Sequence, residues 1–599
     1  MGMGTTNVEG RIAASIGGMG PEAPKFEESL DLPNGGVLFA LPALMACGLL
    51  HYVEQYFHLK QGFYSLETIL LSVAFMALSR IKSVEQLRYQ APGEWGKILG
   101  QDRLPGVKCL REKITELSKD KPMEWSADLS KKWLYEDPED STVLYVDGHV
   151  RVYHGHQTQL PRHHVSRQKL CLRATTDYWV CGMDGQPFLK VNKAIDPGMI
   201  KTIENDILPW VKDQISNQIT KKKLEEDPLI HSFTIVGDRE MYSPSFMWRL
   251  KRQRIACQTY NKFPKDDWDK QEFRRHTIEL INGTKEEVML AERGTFLAVK
   301  KNDMKELPED KILPLGSLVK AEESTYRCGI WVREIRKLNN SGKQTAILST
   351  VYCEEQITRL ASSMFARWCQ ENYFRYARQH YSLDRLVNYK LEEIPEEEVV
   401  NPLYRDLEGK IRKTAALLSR RKVKFSSIHL KQDIEEKYVA KYKHEKNILT
   451  EEMDQFAKEL VELKLKKKGT PKRLKIKDLP PEAQFQQLSN QSKHLVDTIK
   501  VIAYRAETAM ADIIKERMSR KCDARNTLVA IYKNEIDLIP DIEAKTLTVR
   551  LHHLAEHGTA RAIQYLCEEL TLTETLFPGT DLRLIYELVS FAKPSSDGS

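Results

Sequence analysis

TVLYVDGHVRVY, from Thr142 to Tyr153, is the stretch on which the fold turns. It is dense in Val, Tyr and Leu, so it reads as a strand or hairpin. Its apolar run VLYVD ends in one acid, Asp147, followed by Gly148. Downstream, Lys169 to Thr175 and Tyr178 to Val191 read as two more strands, the second with a turn at Asp184-Gly185. Met199 to Ile219 reads as a helix, because Ile200, Ile203, Ile207, Val211 and Ile215 recur at three-four spacing. Phe233 to Val236 is a short apolar strand running into Gly237-Asp238, and Pro244 to Arg254 is a helix. Ile255 to Tyr260 is one more strand. The order β-β-β-α-β-α-β predicts a mixed sheet with helices on its faces.

The flanks carry other patterns. Residues 1–35 are rich in Gly, Met and small side chains and read as a disordered tail. Residues 36–136 read as helical, with Leu66, Leu70, Val73, Ala77 and Ile81 forming a buried stripe. Arg80, Lys82, Arg88 and Lys97 lie close by, and Leu99 to Ile114 reads as a turn and helix with Pro105 near its start. A basic helix after a tight turn suits a DNA groove; the plainer reading is a helical bundle with a solvated basic face. The sheet core occupies 137–263, a β-rich insertion 264–351, and a last core piece 352–390 with the long helix Glu354 to His380. After the linker PEEEVVNP, residues 391–599 read as helical. Leu449, Met453, Phe456, Leu460 and Leu463 make only two heptads, which favours a local hairpin over a coiled-coil dimer. The class expected is therefore multidomain α/β, a mixed-sheet core between helical N- and C-terminal domains.

Composition narrows the function. The 599 residues hold ten scattered Cys with no CxxC pair, against a zinc ribbon or disulfide framework. Lys and Arg number 91 against 84 acids, a formal charge of +7, so only clustering of charge is informative. The most apolar stretch, Val37 to Leu50, is shorter than the roughly 20 residues a spanning helix needs, so no membrane partner is expected. Without a basic segment before it, a secretory signal is not expected either.

Chemistry is expected where three acids converge. Asp147 and Asp238 each end an apolar strand, and each alone would pass for a turn residue or cap. Glu371 lies in FARWCQENYFRYARQ, where helical rotation puts Met364, Arg367, Glu371 and Arg378 on one stripe. Alone, that stripe is a solvated ion-pair row. Together, three carboxylates are stable as anions only around a cation, and hard Mg²⁺ or Mn²⁺ fits oxygen donors best. Two such ions about 4 Å apart suit phosphoryl transfer. His149, His154, His156, His163 and His164 crowd near Asp147; they read as a polar, DNA-facing hairpin rather than a zinc site. Basic runs at Lys221 to Lys223, Lys251 to Arg254, Arg420 to Lys424 and Lys464 to Lys477 favour DNA when taken together.

Asp147 in YVDGH, Asp238 in IVGDRE and the helix motif R-x3-E-x6-R resemble the DDE transposases of bacterial insertion sequences. Within these the likeness is to the insertion-sequence-four type with its Tyr-x2-Arg-x3-Glu-x6-Lys signature. Asp238 follows Asp147 by 91 residues and Glu371 follows Asp238 by 133, room for the β insertion that group carries. The resemblance implies an RNase-H-like core and two catalytic metals on Asp147, Asp238 and Glu371. It implies DNA contacts from Arg239, Arg367 and Arg378, the last standing where the family has lysine. Met364 departs from the signature tyrosine. Trp368 resembles an aromatic that packs near a flipped base, with Trp331 a second candidate, though Trp368 reads equally as core. Lys466, Lys467, Lys468, Lys472 and Arg473 are expected on the DNA backbone. The implied protein is a cytoplasmic, nucleoid-associated bacterial enzyme acting as a homodimer on double-stranded transposon ends and target DNA. The rival expectations are a catalytically inactive DNA-binding derivative and an RNase-H-like nuclease without strand transfer.

Overall fold

The computed structural model describes residues 6–136, 142–153, 155, 160–165, 169–193, 196–215, 226–227, 229–280, 285–299, 329–352, 356–385, 391–393, 398–429, 436–475, 478–479, 486–488, 490–554 and 559–589. The labelled helices are α1 (Leu66–Leu78), α2 (Pro244–Arg252), α3 (Ile357–His380), α4 (Pro402–Ser427), α5 (Glu436–Gly469) and α6 (Gln491–Lys515). The labelled strands are β1 (Val143–Val152), β2 (Leu170–Cys181), β3 (Pro187–Lys193), β4 (Thr234–Gly237) and β5 (Ala256–Tyr260), then β6 (Arg274–Glu279), β7 (Lys285–Ala298), β8 (Gly329–Leu338) and β9 (Gln344–Ser349).

All nine strands belong to one ten-stranded sheet, ordered β2-β1-β4-β5-β9-β8-β7-β6. Both β3 and the short strand Arg162–Val165 pair with β2. β1, β4 and β5 are mutually parallel, and β2 runs antiparallel to β1. β4 is buried along its whole length, as a central parallel strand covered by helices must be.

Two expectations within the sheet need correction. β2 runs unbroken across Thr175-Thr176-Asp177, where a gap between strands was expected. The polar residues do not break it because they are buried and their backbone is held by the ladder to β1; Arg151 donates to Asp177 at 2.9 Å, and Thr176 Oγ1 meets His163 Nδ1 at 2.7 Å. The hairpin turn does fall at Asp184-Gly185, with Gly185 at φ 77. The insertion is the second correction. Val288 to Ala291 and Thr295 to Val299 were expected as separate pieces, but β7 runs through Gly294 as one strand. β9 pairs antiparallel with β5, Ile347 opposite Tyr260, so the insertion prolongs the core sheet.

The ends of the chain depart furthest from expectation. The tail expected to be disordered holds a helix, Val8–Ser15, and a strand, Ser29–Leu32. Arg11 ion-pairs with Asp102 and its guanidinium sits 3.9 Å from the Phe63 ring centroid. Ser29–Leu32 pairs with Ile536–Asp541, which continues through Thr546–Leu551 to Arg583–Leu588 in a four-stranded sheet. The C-terminal segment is therefore not all helical, and it is not separate from the N-terminal one. α1, buried on every side, and α6 share one hydrophobic core. α4 and α5 form a long hairpin in which Leu449 and Leu463 are buried, so the two-heptad seam closes within the chain. Part of the expected linker, Glu398–Val400, is a strand paired with Arg473–Lys475 at the hairpin's base.

Candidate active site

Asp147 lies inside β1, not at its end, because the valines of VRVY carry the strand on. Val146 stands opposite Gly237 in the parallel β1–β4 pair. The next residues, Asp147 within β1 and Asp238 just past the end of β4, therefore stand on neighbouring strands, about 4.8 Å apart, at the same level. Asp238 caps a short 3-10 turn, its Oδ1 accepting from Glu240 N at 2.8 Å. Gly237 precedes it, where a Cβ would stand 2.3 Å from Met241 Sδ and force that buried side chain to move.

Glu371 arrives on α3, which lies over the face of β1 that bears Tyr145, Asp147 and His149. Tyr145 Oη donates to the Ser363 carbonyl at 2.8 Å. Gln370 Nε2 donates to the Tyr145 and Trp179 carbonyls, both at 3.3 Å. Past Glu371, the His149 ring stacks on Phe374 with centroids 5.3 Å apart, and its Nε2 meets Asp384 Oδ1 at 2.5 Å. The helix is thus anchored before and after its acid. Those contacts bury His149, so it does not face DNA as the sequence suggested.

Arg367 ties the acids together. Its Nη2 lies 2.5 Å from Glu371 Oε1 and its Nη1 3.8 Å from Asp147 Oδ2. Burial, then the charges of Asp238 and Glu371, push Asp147 up to about 7, against the pull of Arg367 and of the Gly148 N–H. Asp147 therefore senses both other acids, and three carboxylates face one guanidinium. Hard oxygen donors in that setting fit Mg²⁺ or Mn²⁺. The oxygens are not yet gathered tightly: among the described residues, three ligand atoms within 4.8 Å of one another occur at Asp31, Glu535 and His552, on the small sheet.

The other candidates scatter. Arg239 is exposed beside Asp238. Arg378 is half-buried two turns beyond Glu371, and its Nε donates to the Phe374 carbonyl at 3.1 Å. Met364 is fully buried among Tyr145, Ile335 and Ile347, facing the core and not the acids, because α3 packs that side on the sheet. Trp331 is 42% exposed on β8, edge-on to Phe296. The side chains of Trp368 and His164, and the residues His154, His156 and Lys221 to Lys223, lie outside what the structure describes. His163 is buried, its Nδ1 2.7 Å from Thr176 Oγ1. Lys466, Lys468, Lys472 and Arg473 are exposed at the hairpin's base, while Lys467 pairs with Glu408 at 3.0 Å. In the N-terminal helix expected to suit DNA, Arg111 and Lys113 are already paired with Glu85 and Glu116.

Several residues were missed by sequence reasoning. Tyr260, closing β5, faces Arg367 and Glu371; burial raises its hydroxyl and Arg367 pulls it back. Further along β1, Arg151 ion-pairs with Asp177 at 2.7 Å in full burial, and Lys190 meets Asp497 of α6 at 2.8 Å. The available signal was strand alternation, since Tyr145, Asp147, His149 and Arg151 share one face of β1.

No helix among the described residues is long and apolar enough to cross a membrane. No curated protein matches the chain. A family model described as "Transposase protein" matches residues 2–312 and 311–590, and on that match the chain belongs to this transposase family.

Proposed function

We propose that the chain is a DDE-type, cut-and-paste transposase of the insertion-sequence-four kind, built on an RNase-H-like sheet. The observation that carries this is the β1–β4 register, which sets Asp147 beside Asp238, with Glu371 drawn toward them through Arg367. Apart from the short strand Arg162–Val165, the element order β1-β2-β3-α-β4-α2-β5, with β1 and β4 parallel and adjacent, supports the RNase-H-like reading.

Asp147, Asp238 and Glu371 are the residues to hold Mg²⁺ or Mn²⁺, two ions per site. When bound, such ions activate a water or 3′-hydroxyl and stabilise the leaving oxygen. Arg367 and the exposed Arg239 offer planar, multi-donor contacts to the scissile strand's phosphates. Exposed Trp331 offers a stacking face to an unpaired base. The basic α4–α5 hairpin holds DNA without sequence preference, and two protomers pair the element ends in a synaptic homodimer.

The test is incubation with a duplex carrying the element ends and Mg²⁺. The wild type yields 3′-OH nicks and strand-transfer products, and Asp147→Ala yields neither while still binding DNA. A mutant that still cuts removes the site assignment. Wild type that binds without cutting favours an inactive derivative, and cutting without strand transfer favours a plain nuclease.

A further inference from the structure

We infer that Arg367 is a built-in counter-cation that closes the acidic site until a DNA phosphate draws it off, coupling divalent-metal loading to DNA engagement. This rests on the acidic-triad reading above. The guanidinium sits between two of the three acids, bonded to Glu371 at 2.5 Å and in ion-pair range of Asp147 at 3.8 Å. Arginine stays charged at every working pH, so it neutralises them whether or not a metal is near. It claims the same oxygens that a divalent cation needs. With Arg367 in place, the three acids do not bring three oxygens within 4.8 Å of one another.

The guanidinium is also incompletely satisfied. Arg367 is only 14% exposed, and its Nε is buried without a hydrogen-bond partner. A buried, unmet N–H is costly, so a better acceptor can redirect the group. A phosphate is such an acceptor, because two of its oxygens match the guanidinium fork. Turning Arg367 toward a phosphate bonds the unmet donor and frees Glu371 and Asp147 together. Without DNA, the site therefore disfavours metal and idle hydrolysis.

The experiment reads free Mn²⁺ by electron paramagnetic resonance during titration of the full chain at alkaline pH. Without DNA, Arg367→Gln binds Mn²⁺ about tenfold more tightly than wild type or more, since a positive charge within roughly 4 Å of the ion is gone. Arg367→Lys keeps that charge and stays near wild type. A duplex oligonucleotide of arbitrary sequence tightens Mn²⁺ binding by wild type and narrows its gap to Arg367→Gln. Arg367→Met, of similar length, repeats the measurement should Gln disturb the helix, with circular dichroism as the check on folding. The inference falls if neither neutral variant binds Mn²⁺ more tightly than wild type, or if DNA leaves the gap unchanged. If Arg367→Gln still binds Mn²⁺ after Asp147→Asn and Glu371→Gln are added, the triad reading fails instead.

Discussion

Arg80 donates to Glu507 Oε2 at 2.7 Å, across 427 positions of sequence. Glu507 is fully buried and also accepts from Tyr376, from Tyr381 at 2.6 Å and from Arg525 at 3.2 Å. One carboxylate on α6 thereby joins the turn after α1 to the C-terminal end of α3, the helix that carries Glu371. Burial alone would raise Glu507; Arg80 and Arg525 overcome it and hold the acid ionised.

Removing that charge strands Arg80 in the core. Glu507→Gln is expected to destabilise the protein by about 3–5 kcal/mol, the usual cost of breaking a buried pair from one side. The double variant Arg80→Met, Glu507→Leu should lose clearly less than either single change. Urea unfolding of the four proteins checks this. A loss below about 1 kcal/mol for Glu507→Gln would mean that water reaches the site and the pair is not buried in solution.

What was legible in the sequence follows from how local each signal is. Most of the strands from Val143 to Tyr260 were readable because each carries its own apolar run and each helix its own period; the short, polar strand Arg162–Val165 was not, and the polar residues 175–177 misplaced a break inside β2. The strand Ser29–Leu32 was not, since its partner Ile536–Asp541 lies some five hundred residues away and its own four residues, SLDL, carry no pattern. The polar residues Arg151, Asp177, Lys493 and Asp497 carry no hydropathy signal for burial. They are buried because each meets an opposite charge on another element or turn, a pairing invisible to hydropathy. At the candidate site, the acids and Arg367 were legible as a motif. Tyr260 and the His149–Asp384 clasp were not, because only the packing of α3 on β1 brings them in.

The elevated Asp147 makes the metal-free protein pH-dependent. Its folded value near 7 lies above its unfolded value, so the favourable contribution is intact below the ordinary carboxylate range. It declines as pH rises toward 7, by at most about 1.4 kcal/mol per unit, and is gone above that. Asp147→Asn should therefore gain stability over wild type as pH rises through this window, read by urea unfolding in chelator. Metal affinity has the opposite trend, since only the ionised carboxylate binds, and Mn²⁺ binding by wild type should tighten through pH 7 with proton release. A flat stability difference between wild type and Asp147→Asn would show that the acid is already ionised at low pH.

Met364 offers a check on the resemblance itself. Restoring the signature tyrosine, Met364→Tyr, would regain a phosphate contact if that position faced DNA. Here the side chain is fully buried against Tyr145, Ile335 and Ile347. The larger ring should overpack that core and cost about 1–3 kcal/mol, with no gain in DNA affinity. Thermal unfolding and anisotropy binding on the same preparation separate the two outcomes. Unchanged stability with tighter DNA binding would mean that α3 is rotated in solution relative to this packing.

The α4–α5 hairpin should contribute sequence-independent affinity. α4 alone carries eight Lys or Arg against two acids, more than its share of a chain whose net charge is only +7. Lys466, Lys468 and Lys472 stand exposed at its base, free to release counterions from a phosphate backbone. Neutralising each to Gln should weaken DNA binding similarly for any sequence. It should also reduce the slope of log affinity against log salt by about 0.9 per contact. Lys467→Gln should do less, because Glu408 at 3.0 Å already offsets that charge and Tyr404 holds the ammonium over its ring. Fluorescence anisotropy at several salt concentrations measures both quantities. A triple variant with an unchanged slope would show that these lysines face solvent in the complex, and that the DNA track does not cross the hairpin's base.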